Sequence, residues 1–398
     1  LTIPSRGTAH TLRLWVPFAA SPLRRPLTSN VRRIAKGLRS LELFTPLFPQ
    51  ERWHPHFKTV LSPFCKPSRE VVTRWADGFT DRDGKFVQEF QLSFNSPFWE
   101  LYLHAVIKDY GYTIDWSKSA PDFSVLVNES KNILIEAVTA NAADGKPNEW
   151  DKKFSAEDMQ SLDLQKLNHE AMVRLSSAIY SKHRKYCKDY ASQPHVQGRP
   201  FVLAVAPFEQ PYFNHQYNRP IKSVLYDHYV DEDEYLRNPS EFPNGPRSKS
   251  LGFVTKDNGV EIELGFFNDD RMREISAVMF SCTATWGKVD SLVTGESSRK
   301  TLITTIWGSE PDGRPIRRVG TPDEIGETIT DGLQIYHNPY AIRPLDPAVF
   351  RKKGVVQVFF DGRKQAWVEE ELARSLFIRQ AFSFMPDDEP PNDTSESA

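Results

Sequence analysis

Asp122 and Glu136 bracket the stretch PDFSVLVNESKNILIEAV, which reads as two short apolar runs joined by the polar turn NESK. Carboxylates so placed suit one chemistry well. A hard divalent ion takes oxygen ligands and is often held by only one or two carboxylates alongside water. Such an ion activates water and polarises a phosphoryl oxygen. Glu136 lies inside the apolar run NILIEAV, where an isolated charge is unfavourable unless it is paired or binds a metal. On a strand of period two, Leu134, Glu136 and Val138 share one face, and Ile135, Ala137 and Thr139 share the other. Glu100 repeats the oddity within the apolar segment SPFWELYLHAVIKDYG. Each acid also has an ordinary reading: a turn acid after Pro121, a buried ion pair for Glu136, and a first-turn helix acid for Glu100. If the three form one site, their carboxylates should meet within about 5 Å. An unrelated α/β structural or interaction protein would leave them apart.

The flanking sequence supplies elements to position these acids. Residues 96–111 read as a helix, with Ser96 as cap, Pro97 in the first turn and Gly111 at the exit. Strands follow at 122–127 and 132–138. A long helix is expected over about 161–190, with an apolar stripe at Leu164, Leu167, Ala171, Leu175, Ala178 and Ile179. RPFVLAVAPF, residues 199–208, has the continuous apolar character of a buried central strand. The order helix, strand, strand, long helix, strand marks an α/β core over 96–208. Before it, residues 1–95 form a basic N-terminal region, with a helix starting at Ser29 or Asn30, a turn at DRDGK (81–85) and a strand at FVQEFQLSF (86–94). After it, residues 209–385 form a strand-rich extension for substrate or partner recognition. That extension begins with a polar excursion over 209–250 and continues through LGFVTKD, VEIELGFF, ISAVMFSCTAT, TLITTIW and VVQVFF. Residues 386–398 hold five acids and no base, the composition of a disordered tail.

Over 96–208 the chain resembles the PD-(D/E)XK nuclease superfamily. The resemblance assigns the helical glutamate to Glu100, the PD aspartate to Asp122 after Pro121, and the following acid to Glu136. It implies a restriction-endonuclease-like α/β fold, a mixed sheet flanked by helices, with the strand-rich region added to it. It also implies a Mg²⁺ ion, or Mn²⁺ in its place, held by Glu100, Asp122 and Glu136. The motif lysine, which orients the attacking water, would fall at position 138, where this chain has Val138. Several members of the superfamily place that charge on another element, often the following helix, and Lys166 and Lys182 are the candidates here. Gln165 or His169 are alternatives for positioning a phosphate or water. The implied activity is hydrolysis of phosphodiester bonds, by a DNA endonuclease in bacterial defence, with DNA favoured over RNA. The alternative is a catalytically inactive nuclease fold that binds nucleic acid or a protein partner. The wider run, with RLSSAIYSKHRKY and a late NPYAIRPL, also resembles a group of bacterial proteins built around this core. That likeness places residues 332–346 in the same compact unit.

Composition narrows the remaining classes. The net charge of −2 and pI near 6.6 leave nucleic-acid binding to local patches. Residues 1–50 offer one such patch, with eight basic side chains and the single acid Glu42; it reads either as a solvated surface or as an arm against phosphates. Lys288, Arg317 and Arg318 read as surface-loop residues within reach of phosphate. Three cysteines without a CxxC pair argue for a reducing, cytoplasmic setting and against a zinc site or disulfide framework. No apolar run spans a bilayer, and the N-terminal residues lack the succession typical of a secretory signal. Walker A, GxGxxG and GxSxG motifs are absent. His104, the pair His54 and His56, and the helical pair His183 and Cys187 read as structural. A second copy of the chain or another protein stands beside nucleic acid as an expected partner.

Overall fold

The computed structural model describes residues 41–142, 145–152, 162–242, 247–295, 299–310 and 314–384, without the side chains of 232, 233, 236 and 239. The helix expected from Ser29 or Asn30, nearly all of the basic 1–50 cluster, and the acidic tail lie outside those residues.

The hairpin forms where β-branched residues alternate around a polar turn. β1 (Thr113–Ile114) pairs antiparallel with β2 (Phe123–Leu126), and β2 pairs antiparallel with β3 (Asn132–Thr139). The Asn128 side chain accepts from the Ser130 amide at 3.0 Å and closes the turn. β4 (Phe201–Ala206) runs parallel to β3 with every residue buried, as a strand covered on both faces must. The sheet then continues into the later sequence. β5 (Ala277–Phe280) is parallel to β4. Further along the chain come β6 (Lys300–Trp307), β7 (Ile316–Gly320), β8 (Gln334–His337), β9 (Val356–Asp361), β10 (Ala366–Glu370) and β11 (Leu376–Phe384). The result is an eight-stranded mixed sheet in the order β1-β2-β3-β4-β5-β8-β9-β10, with a separate three-stranded sheet β7-β6-β11 and two short strand pairs. The expected mixed α/β fold with extra strands is therefore present. Residues 334–337 are an inner strand of the main sheet, within the same unit as the core.

Helices cover the sheet. α1 (Lys66–Ala76) is followed by α2 (Phe86–Leu92), α3 (Asn95–Asp109), α4 (Leu164–Lys185), α5 (Arg219–Tyr226) and α6 (Trp286–Ser291). The strand expected over 86–94 is thus a helix. The Asp81 carboxylate accepts from the amides of Gly84 and Phe86 and starts the turn. Phe86 and Phe90, one turn apart, are buried while Gln88 and Glu89 face water, so the four-residue spacing prevails over the alternation. α3 is apolar nearly all round and buried nearly all round, and its Trp99 indole donates to the Ala204 carbonyl at 2.9 Å. It starts one residue before the expected Ser96, after Phe94 in a left-handed conformation (φ 50°). α4 is capped by Asp163, which accepts from the Lys166 amide, and passes into a π turn over Tyr186–Tyr190. The polar excursion after residue 209 contains α5, whose Ile221, Val224 and Leu225 are buried and which packs on α4. None of the described helices is long and apolar enough to cross a membrane.

Lys288 is not a surface-loop residue. It is wholly buried on α6, ion-paired with Glu327, and its ammonium also donates to the carbonyls of Thr328 (3.0 Å) and Asp331 (2.8 Å). Arg379 of β11 completes the cluster, with Nε 3.0 Å from Glu327 Oε2. Burial opposes ionisation of Glu327, but Arg379 and Lys288 outweigh it and hold the carboxyl below the ordinary glutamate value. Arg317 and Arg318 lie exposed on β7.

His54 caps the short helix Pro55–Val60 by accepting from the His56 amide at 3.2 Å, and its Nε2 is buried without a partner. Burial and the neighbouring His56 push its pKa from 6.5 down to about 4, against the pull of Glu149. Between those values the unfolded chain binds a proton that the folded chain refuses, so stability falls on acidification through this window. His54→Asn keeps an acceptor at the cap and should flatten that slope. Urea denaturation at about pH 7 and about pH 4.5 measures it; an unchanged difference between the two would contradict the assignment.

Candidate active site around Glu136

The hairpin register brings the two sequence-selected acids together. Phe123 pairs with Ile135, so the next step along each strand sets Asp122 opposite Glu136. Asp122 Oδ2 accepts from the Ala137 amide at 2.7 Å, which locks the aspartate to the strand that carries the glutamate. Arg82, from the DRDGK turn, donates to the carbonyls of Lys118 (2.6 Å) and Pro121 (3.1 Å) and lies 3.9 Å from Asp122 Oδ1. It fixes the loop that leads into the aspartate.

Glu136 is 2% exposed and faces the end of α4. Its Oε1 accepts from Lys182 Nζ at 2.7 Å, Lys185 Nζ at 3.2 Å and the Tyr190 hydroxyl at 3.3 Å. Its Oε2 is buried with no hydrogen-bond partner. An unsatisfied buried acceptor of this kind is destabilising, and a bound cation would satisfy it. The expected helical lysine therefore does reach the carboxylate, from the element that follows the hairpin. Burial works against the Lys185 charge, but Tyr190 and Glu136 outweigh it and hold the ammonium above the ordinary lysine value.

Glu100 on α3 completes the acidic neighbourhood. Burial, then Asp122 and Glu89, push its carboxyl up to about 8, against Arg82 and Lys182. Burial and Glu136 push Asp122 up to about 6, against Lys182, the Ala137 amide and Arg82. Near neutral pH the group therefore carries less than three negative charges, and a cation would displace protons on binding. Asp122 acts on Glu100 and Glu136 acts on Asp122, yet the three are not drawn into a tight trio. Among the described residues, the set with three donor atoms within 4.8 Å of one another is His183, Cys187 and Glu274. The all-oxygen donor set of Asp122 and Glu136 still suits Mg²⁺, which keeps most of its waters and needs only one or two carboxylates.

The structure does not bring Lys166 to this site. It lies sixteen residues (182 − 166) before Lys182 on the same helix, about 24 Å away at 1.5 Å per residue. It lines a different cleft, of about 750 Å³, with His169, Arg174 and Lys256. Val138 is half-buried on the Glu136 face of β3. His104 is buried with Nδ1 2.7 Å from the Trp75 carbonyl, and His56 Nε2 sits 2.9 Å from Glu149. Sequence reasoning missed Lys185, Tyr190 and Arg82. Lys185 was within reach, since it lies three residues after Lys182 and so shares its helix face. No family model matches the chain, and neither a curated protein nor a solved structure does.

Proposed function

We propose that the chain is a Mg²⁺-dependent nuclease with a restriction-endonuclease-like core, cutting DNA internally in a bacterial defence role. The observation that carries this reading is the ammonium of Lys182 seated 2.7 Å from Glu136, an acid-lysine pair assembled from a helix where the strand has only Val138. Asp122 and Glu136 would hold the ion, with Mn²⁺ able to replace it, while Glu100, which does not join them within 4.8 Å, would act on the charge of Asp122 from α3. When bound, the ion supplies Lewis-acid polarisation of the phosphoryl oxygen and an activated water. Lys182 would orient the attacking water and balance charge developing on the phosphate. Arg82 steadies the loop that leads into Asp122, and Lys185 with Tyr190 joins Lys182 on the same oxygen of Glu136. The exposed Arg317 and Arg318 on β7 offer phosphate contacts outside the core.

A second reading, a nuclease fold without catalysis that binds nucleic acid or a protein, is favoured by two observations. Glu136 already engages three donors, and the acids stay looser than 4.8 Å as a trio. Incubation with single- and double-stranded DNA and RNA, in Mg²⁺ or Mn²⁺, separates the two. The nuclease reading expects metal-dependent cleavage that Asp122→Ala abolishes. Cleavage that survives Asp122→Ala would overturn the site, and binding without cleavage in either metal would support the second reading.

A further inference from the structure

The last turns of α4 carry a second donor set of a different chemical kind. His183 Nε2 lies 2.9 Å from Glu274 Oε2 and 3.5 Å from Cys187 Sγ. His183 and Cys187 are one helical turn apart on one face, and Glu274 comes from the loop that enters β5. Both neighbours converge on the same imidazole nitrogen, which can serve only one of them as a neutral donor or acceptor. A shared central ion resolves that conflict. Around tetrahedral Zn²⁺, bonds of about 2.0–2.1 Å to nitrogen and about 2.3 Å to sulfur set the two donors roughly 3.5 Å apart, and nitrogen and oxygen roughly 3.4 Å apart. The nitrogen-sulfur separation already has that value, and the glutamate needs to withdraw by only about half an ångström. Arg273 Nε stands 3.6 Å from the other oxygen of Glu274, which leaves Oε2 turned toward His183 in the manner of an outer-shell partner. Cys187 is exposed and the other two are half-buried, so an ion has access and a fourth position faces water.

We propose that His183, Cys187 and Glu274 form a binding site for a thiophilic first-row divalent ion, Zn²⁺ foremost, separate from the all-oxygen site at Glu136. Thiolate with imidazole selects Zn²⁺ over Mg²⁺. Three protein ligands and a water make an open site rather than a closed structural one. Binding releases the Cys187 thiol proton to solvent, and the His183–Glu274 hydrogen bond breaks as the imidazole proton passes from Nε2 to Nδ1, leaving Nε2 free to ligate. Because Lys182 and Lys185 flank His183, the ion would also fix the helix end that delivers both ammonium groups to Glu136.

Titration of the full chain with Co²⁺, in excess Mg²⁺, tests this directly. One equivalent should give thiolate-to-cobalt charge-transfer absorption and strong tetrahedral ligand-field bands, both displaced by Zn²⁺. Cys187→Ala, at an exposed position that leaves the fold intact, should abolish the charge-transfer absorption. His183→Ala should weaken binding by at least about tenfold, whereas Asp122→Ala should leave the bands unchanged, separating this site from the carboxylates. Absence of charge transfer in the wild type, or its persistence in Cys187→Ala, would overturn the proposal.

Discussion

Glu136→Gln should lower phosphodiester cleavage by roughly 10³-fold and leave the chain folded. A bound ion contributes several kcal/mol of charge stabilisation in the transition state, and each 1.36 kcal/mol is about tenfold in rate. Glutamine keeps the size of the side chain and an oxygen that accepts from Lys182 and Tyr190, but it brings no charge to the ion. The fold should survive because the partners have an outlet. The Lys182 and Lys185 side chains are 22% and 46% exposed, so their ammonium groups turn to water instead of remaining buried and uncompensated. Single-turnover cleavage and urea denaturation on the same preparation check both halves. A wild-type rate would remove Glu136 from the site, and an unfolded variant would make it a structural residue.

Glu327→Gln has the largest expected effect on stability, a loss of about 3–5 kcal/mol. Glu327 is the only anion in direct ion-pair contact with both Lys288 and Arg379 among the described residues, and all three side chains are essentially buried. Removing its charge leaves two cations in the interior, joined only to carbonyl and hydroxyl oxygens. The three residues come from α6, the segment before β8, and β11, so the change loosens the junction between the two larger sheets. A second substitution, Lys288→Met, should recover part of the loss, because it removes one of the stranded charges. Urea midpoints for the single and double variants measure this. A loss below about 1 kcal/mol, the range of an exposed ion pair, would contradict the cluster's buried character.

What could be read in the sequence was what local periodicity encodes. The hairpin, the central strand β4 and the all-round apolar α3 follow from runs whose spacing admits one interpretation. The segment FVQEFQLSF did not, because Phe86, Phe90 and their neighbours satisfy both a strand alternation and a helical turn; Asp81 decides between them through two amides. The buried position of Lys288 was illegible, since its partner Glu327 lies 39 residues (327 − 288) away and Arg379, which shares that carboxylate, lies 91 (379 − 288) away. WGKVDS by itself has the composition of a surface turn. Glu274, which joins His183 and Cys187, is 87 residues (274 − 187) beyond the cysteine and carries no local signal. At the carboxylate site, Asp122 and Glu136 were legible from their placement in an apolar hairpin. The resemblance pointed to α4 for a lysine, and only the length of that helix shows that Lys182 reaches Glu136 while Lys166 does not. Tyr190 was missed because the π turn shifts the helix register after Lys185.

In the proposed mechanism Lys182 takes the place that Val138 leaves empty of charge. Val138 shares the Glu136 face of β3, so a lysine there would approach the same carboxylate from the strand. The decisive measurement is single-turnover DNA cleavage by Lys182→Met and by the double variant Lys182→Met with Val138→Lys. Loss of the helical ammonium should lower the rate by roughly 10²–10³-fold, and the strand lysine should restore at least about tenfold of it. A Lys182→Met chain that cuts DNA at the wild-type rate would contradict the account.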